Sequence, residues 1–200
     1  RIYEKIHGWA SDREALIGRS RCYFESGEYD KALDEFYKYP RLSTDTTALN
    51  LLVEFYRRIG NYGQALSVCT HWHSLEKNDN RALIKMGHCY RDMGLYKEAH
   101  QLFCAVKEQM SKANYYDKRI DVNIARCLQF MGEFDQAIVI YKNIKNSLVD
   151  KKLRLNMIYC YEEMGNYDQA IQTVIESLDW KKDKTLCLQL STLYQKKGQR

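Results

Sequence analysis

Gly94-Leu95-Tyr96-Lys97-Glu98-Ala99 is the stretch on which the fold turns. Its glycine, aromatic and alanine spacing recurs at Gly27/Tyr29/Ala32, Gly60/Tyr62/Ala65, Gly132/Phe134/Ala137 and Gly165/Tyr167/Ala170, and a sixth copy opens at Gly198. Six of the ten glycines hold this one position. A helix ends at least cost when the next residue takes a left-handed backbone, which Gly does most readily. Acidic residues follow at once (Glu28 and Asp30, Glu98, Glu133 and Asp135, Asp168), as suits the positive end of a helix dipole. The spacing predicts a corner between two helices. The aromatic is expected to wedge into the angle, and the alanine to let the second helix approach the first closely. Five such corners predict an all-α array of helical hairpins.

The totals agree with that reading. One proline and ten glycines in 200 residues argue against a turn-rich β architecture. A hydrophobic content of 45%, with 12% aromatic, suffices for a continuous core when each hairpin buries its apolar face against its neighbours. The balance of 31 basic and 26 acidic residues gives a net charge of +5, too mild to imply nucleic acid as a partner. No stretch approaches the length of a membrane-spanning helix, so no membrane partner is expected. Residue 1 is not Met and no secretion signal opens the chain. Both ends fall inside repeats, so the chain reads as a piece of a longer protein.

Placing each corner alanine at the twentieth position of its repeat gives repeats at 13–45, 46–79, 80–117, 118–150 and 151–183. A truncated sixth runs over 184–200, and 1–12 read as the tail of an earlier repeat. Tyr3-Glu4-Lys5-Ile6 parallels Tyr141-Lys142-Asn143-Ile144. Successive alanines lie 33, 34, 38 and 33 residues apart. In the third repeat Leu83, Met86, Gly87 and Tyr90, then Ala99, Phe103 and Val106, keep helical spacing.

These residues resemble the tetratricopeptide repeat, whose pattern is aromatic-x2-Leu-Gly-x2-Tyr followed by Ala-x3-Phe. Ala32-x3-Phe36, Ala99-x3-Phe103 and Ala137-x3-Tyr141 match its second half. Tyr23, Tyr56, Tyr90, Tyr161 and Tyr194 take the inner tyrosine site, where Leu128 substitutes once. The usual Trp at the fourth position and the closing Pro are absent, so no subfamily is assigned. The resemblance covers essentially the whole chain and implies an α-α superhelix of stacked antiparallel helix pairs.

Two irregularities stand out. Pro40 is expected to end the second helix of repeat 1 early, with Ser43-Thr44-Asp45-Thr46 offering caps for the next. The third repeat is four residues long, about one turn, around Lys107–Asp117, which predicts a longer second helix or a bulged loop.

The side chains offer little reactive chemistry. Cys22, Cys89, Cys127 and Cys160 share the tenth position of their repeats, a small buried site in the family, and are read as structural thiols. Equivalent sites on successive first helices should lie about 10 Å apart or more, too far for a disulfide or a shared metal. Unpaired thiols fit a reducing, cytoplasmic location. His71-Trp72-His73 resembles a metal clip, but helical residues two apart diverge. Trp9, Trp72 and Trp180 are read as packing residues. No cofactor, metal or catalytic constellation is assigned, and the chain is expected not to be an enzyme.

The resemblance implies that first-helix positions 2, 5, 6, 9, 12 and 13 line a concave groove. In repeat 3 these are Arg81, Ile84, Lys85, His88, Arg91 and Asp92; in repeat 4, Arg119, Val122, Asn123, Arg126, Gln129 and Phe130. Repeat 5 supplies Lys152, Leu155, Asn156 and Tyr159, then Glu162 and Glu163. Arg and Lys suit carboxylates, and Asn can hold a peptide backbone. Some family members grip peptide with an asparagine ladder, and Asn123 and Asn156 repeat at one position. A chaperone-type carboxylate clamp is not expected, because position 5 is Ile17, Asn50, Ile84 or Val122.

The leading expectation is therefore a protein-interaction scaffold that holds an extended, acidic segment in the repeat 3–4 groove through Arg81, Lys85, Arg91, Arg119, Asn123, Arg126 and Asn156. One alternative is a regulatory or sensory module of a larger signalling or transcription regulator. Another is a structural array that self-associates through apolar repeat ends such as Ile2, Ile6, Leu190 and Leu193.

Overall fold

The computed structural model describes residues 13–144, 150–176 and 183–198. Among these residues the chain is all-α, with no strand. The helices fall into two compact units that divide between Gly94 and Leu95. Unit 1 holds α1 (Arg13–Glu25), α2 (Tyr29–Tyr37), α3 (Thr46–Arg58), α4 (Tyr62–Leu75) and α5 (Asn80–Asp92). Unit 2 holds α6 (Tyr96–Lys112), α7 (Lys118–Phe130), α8 (Phe134–Asn143), α9 (Lys151–Glu163), α10 (Tyr167–Ile175) and α11 (Lys184–Gly198). In unit 1, α1 packs on α2, α3 on α4, and α4 on α5; in unit 2 each helix packs on the next. The expected tail at 1–12, with Ile2, Ile6 and Trp9, and Trp180 lie outside the described residues.

The corners form as their residues dictate. Gly27, Gly60, Gly94, Gly132 and Gly165 all have positive φ, from 68° to 83°. At Gly60 the amide donates to the Arg57 carbonyl at 3.1 Å, and the next amide, Asn61, donates to the Tyr56 carbonyl at 2.8 Å. That double bond closes orphan carbonyls at the helix end. Gly132 with Glu133, and Gly165 with Asn166, repeat it. Ala32, Ala65, Ala99, Ala137 and Ala170 are fully buried.

The corner aromatics depart from expectation. Tyr29 does lie against its own hairpin, 5.0 Å from Phe24. In unit 2, however, Tyr96 stacks on Phe130 of α7 at 4.8 Å, and Phe134 meets Tyr159 of α9 edge-on at 6.4 Å. There the ring reaches onto the next first helix instead of wedging into its own corner.

First helices begin at an aspartate in every described case from the second onward. Asp45, Asp79, Asp117 and Asp150 each accept from a backbone amide at the start of the helix, and Asp183 accepts from the Thr185 amide at 3.0 Å. Cations of preceding first helices reach some of these caps: Arg13 meets Asp45 at 2.7 Å, and Lys151 meets Asp183 at 2.7 Å. At the other helix ends Arg58 holds Glu25 at 2.7 Å, and Lys196 pairs with Glu162. Exposed pairs of this kind contribute little to stability.

The stability comes from burial. In unit 1 Phe24 stacks on Phe55 at 4.3 Å, with Phe36 edge-on to Phe55 at 5.6 Å. Trp72 is fully buried with Leu49 and Ala82. In unit 2 Phe103, Val106, Tyr141, Ile158 and Leu193 are at 0% exposure. Each such side chain contributes about 1.5–3 kcal/mol. The burial of Leu193 corrects its expected place on an apolar end: α11 packs on α10, and the side chain lies inside. The large apolar residues that α11 leaves open are Leu188 and Tyr194.

The two irregularities are explained. α2 stops at Tyr37, three residues before Pro40. The extra residues of repeat 3 lengthen α6 to 17 residues, against 9 to 14 in the other corner-started helices α2, α4, α8 and α10. Asn114, at φ 51°, then ends it in the left-handed conformation that glycine takes elsewhere.

Candidate functional site

In unit 2 the first helices α7, α9 and α11 carry equivalent side chains 33 residues apart. Val122, Leu155 and Leu188 form an aliphatic row, each at least partly exposed. Beside it Asn123, Asn156 and Gln189 form an amide row, each partly exposed. Most of these positions neither join the core nor stand fully in solvent. Leu188 and Gln189 are absent from the sequence-based groove because they fall in the truncated sixth repeat. The unbroken 33-residue interval is the signal that could have found them.

The amides are held from beneath. Tyr141 of α8 is fully buried, and its hydroxyl donates to Oε1 of Gln129 on α7 at 3.0 Å. Asn156 of α9 lies beside the same hydroxyl and favours its ionised form. Burial, first of all, raises the Tyr141 pKa well above that of a free phenol, so the group stays a neutral donor. One buried phenol thus orients the Gln129 amide of α7 and lies next to that of Asn156 on α9.

Arg126 lies beside them, half-buried, with no ion-pair partner among the described residues. Arg119 is different. Its guanidinium grips Asp117, with Nε 3.0 and 2.8 Å from the two carboxylate oxygens, while the Arg119 backbone amide donates to the same Asp117 at 2.9 Å. Arg119 belongs to the cap of its own helix.

The unit 1 residues are engaged in the same way. Arg81 repeats the clamp on Asp79, with Nε at 3.0 and 2.8 Å, and lies over the Trp72 ring at 5.5 Å. Lys85 pairs with Glu54 of α3. Arg57 bonds Glu54 at 2.9 and 3.1 Å and Asp92 at 3.1 Å, and Arg91 meets Asp92 at 3.2 Å. Three cations thus share two carboxylates. Burial alone would raise the Glu54 carboxyl, but the bonds from Lys85 and Arg57 outweigh it and hold the pKa below the usual range. His88 stands among these cations. Burial, then the charges of Arg91, Arg57 and Lys85, lower its pKa to about 4.

Among the described residues, no group of three or more His, Cys, Asp or Glu side chains could hold an ion. His71 Nε2 meets the Ser43 carbonyl at 2.6 Å and Trp72 is core. Cys89, Cys127 and Cys160 are buried, but Cys22 is exposed, a correction to its expected packing role. It lies in the first repeat, on a helix with no described helix before it. Cys69 of α4, outside the tenth-position series, is buried in the same core cluster of unit 1 as Cys89. Among the described residues no helix is long and apolar enough to cross a membrane.

Two stretches, residues 48–81 and 159–184, match family models described as tetratricopeptide repeat. No curated protein matches the sequence. Among solved structures, a tetratricopeptide repeat protein from Parabacteroides merdae superposes with a TM-score of 0.68 at 17% identity, covering 96% of this chain and 74% of its own. A thermophilic TPR protein from Thermus thermophilus gives 0.62 at 17%, covering 92% and 99%. The MamA protein gives 0.63 at 17%, covering 85% and 92%. At these identities the likeness is one of fold.

Proposed function

This chain is a tetratricopeptide repeat protein, and we propose that it is a protein–protein interaction module whose unit 2 holds an extended segment of a partner. The segment lies along α7, α9 and α11. Its main chain exchanges hydrogen bonds with Asn123, Asn156 and Gln189, and its side chains meet Val122, Leu155 and Leu188. An acidic residue of the segment faces Arg126. The chain acts as a scaffold and not as a catalyst.

The observation that carries this reading is the buried Tyr141 hydroxyl, which donates to Gln129 and lies beside Asn156. Side-chain amides fixed before binding lose less freedom on binding, which favours a specific ligand over mere solvation. A solvated face has no need of such support. The charge pattern narrows the site further. Arg81, Lys85, Arg91 and Arg119 each hold a carboxylate of this chain already, so Arg126 offers a partner's acid the least competition.

The test is selection of displayed random peptides against the whole chain, followed by affinity measurement with Arg126→Glu and Asn156→Ala. Selected peptides should carry acidic residues and bind Arg126→Glu at least about tenfold more weakly, as loss of a charge-assisted bond requires, and Asn156→Ala at least about threefold more weakly, as loss of a neutral bond requires. Unchanged affinity with intact helix content overturns the assignment.

A further inference from the structure

His100 and Cys104 lie one turn apart in α6, which is 17 residues long. The Cys104 sulfur is 3.7 Å from His100 Nε2 and 3.9 Å from Nδ1. Residues four apart share a helix face, so the backbone itself holds the pair together. That face is not the packed one. Ala99, Phe103 and Val106 are the fully buried residues of α6, whereas His100 and Cys104 are each partly exposed. An ion can therefore reach both, and the His100 ring can turn without disturbing the core.

The donors select the ion. A thiolate and an imidazole suit copper or zinc, not magnesium or calcium. An ion about 2.3 Å from sulfur and about 2.0 Å from nitrogen sees the two at an angle of about 120° when they are 3.7 Å apart. That opening suits a two- or three-coordinate ion. Zinc takes four ligands, yet among the described residues no third His, Cys, Asp or Glu joins the pair. Asp121, the carboxylate whose charge Cys104 feels, is held by Lys107 at 2.7 Å.

We propose that His100 and Cys104 bind one Cu(I) ion, a soft monovalent metal content with two or three donors, with a third position open to a small external thiol. Binding forms a Cu–N and a Cu–S bond as the Cys104 thiol gives its proton to solvent; no electron moves, and copper arrives and stays as Cu(I). Burial keeps the imidazole neutral, so a ring nitrogen is free to ligate. The site uses none of Asn123, Arg126, Asn156 or Gln189, and it stands or falls apart from the peptide-binding reading.

The test is oxygen-free titration of the full chain with the acetonitrile salt of Cu(I), in competition with a chromophoric Cu(I) chelator. One ion per chain is expected first, with one proton released and helix content unchanged by circular dichroism. His100→Ala and Cys104→Ala keep good helix formers in place and should each weaken binding at least about tenfold. Cys22→Ala and Cys187→Ala, which remove the exposed thiols, should change nothing. X-ray absorption should find both sulfur and nitrogen at the copper. Weakening by Cys104→Ala alone would mean a lone thiol and overturns the site. Copper that follows Cys22 or Cys187, helix lost at the first equivalent, or zinc bound as tightly as Cu(I) overturns it too.

Discussion

The Tyr141 hydroxyl, inside unit 2, reaches Gln129 Oε1 at 3.0 Å and ties α8 to the exposed face of α7. Tyr141→Phe keeps the ring and its packing but removes that donor. The expected loss is about 1 kcal/mol, the usual net contribution of one such bond. Helix content should not change, whereas affinity for a selected peptide should fall, because Gln129 loses its anchor beside Asn156. Urea denaturation beside a binding titration separates the two effects. A stability loss with unaltered affinity would leave Tyr141 as a packing residue only.

Two glycines should respond to alanine in opposite directions. Gly132 has φ 81° and nothing within 4 Å of an added Cβ, so its penalty is purely one of backbone. Gly132→Ala should cost about 1–2 kcal/mol. Gly18 is helical with equal room, so Gly18→Ala should stabilise by up to about 1 kcal/mol. Chemical denaturation of both variants checks the sign.

Asp117 is both the cap of α7 and the partner of Arg119. Asp117→Ala removes both roles and should cost about 1 kcal/mol. Asp117→Asn keeps a capping oxygen and loses only the charge, so most of the stability should persist. The same pair of substitutions at Asp79, which holds Arg81, should give the same ranking. Denaturation midpoints at low and moderate salt distinguish the cap from the ion pair.

The sequence carried the glycine and the alanine of each corner, because glycine φ and alanine burial are local demands that a short pattern can state, whereas the partner of the aromatic lies on another helix. It carried the capping aspartates too, at Asp45, Asp79, Asp117, Asp150 and Asp183, yet only the first stood out, beside Pro40, because a lone aspartate is a weaker sign than a glycine corner. The charged groove was legible in residue type but not in pairing. Position says that Arg81 and Arg119 face outward; it cannot say that each folds back onto an aspartate two residues earlier. Nor can it say that Lys85 finds Glu54, 31 residues away on another helix. Leu193 failed for a related reason: its fate depends on which face of α11 meets α10.

His88 gives unit 1 a pH dependence of defined sign. Its pKa is lowered to about 4 by burial and by Arg91, Arg57 and Lys85, with Asp92 opposing. The unfolded chain therefore binds the proton more readily than the folded one. Stability from this group is whole above about pH 6.5 and falls as pH drops towards 4, by at most about 3 kcal/mol at about 1.4 per pH unit. Carboxylates with lowered pKa, such as Glu54, withdraw their contribution as pH falls below the ordinary carboxylate range of about 4–4.5. His88→Gln should flatten the curve between about pH 6.5 and 4.5 and leave that more acidic decline in place. Urea midpoints measured at about pH 7, 5.5 and 4.5 on both proteins test it. Parallel curves would mean that His88 takes up its proton alike in the folded and unfolded chain, with Asp92 offsetting burial and the three cations around it.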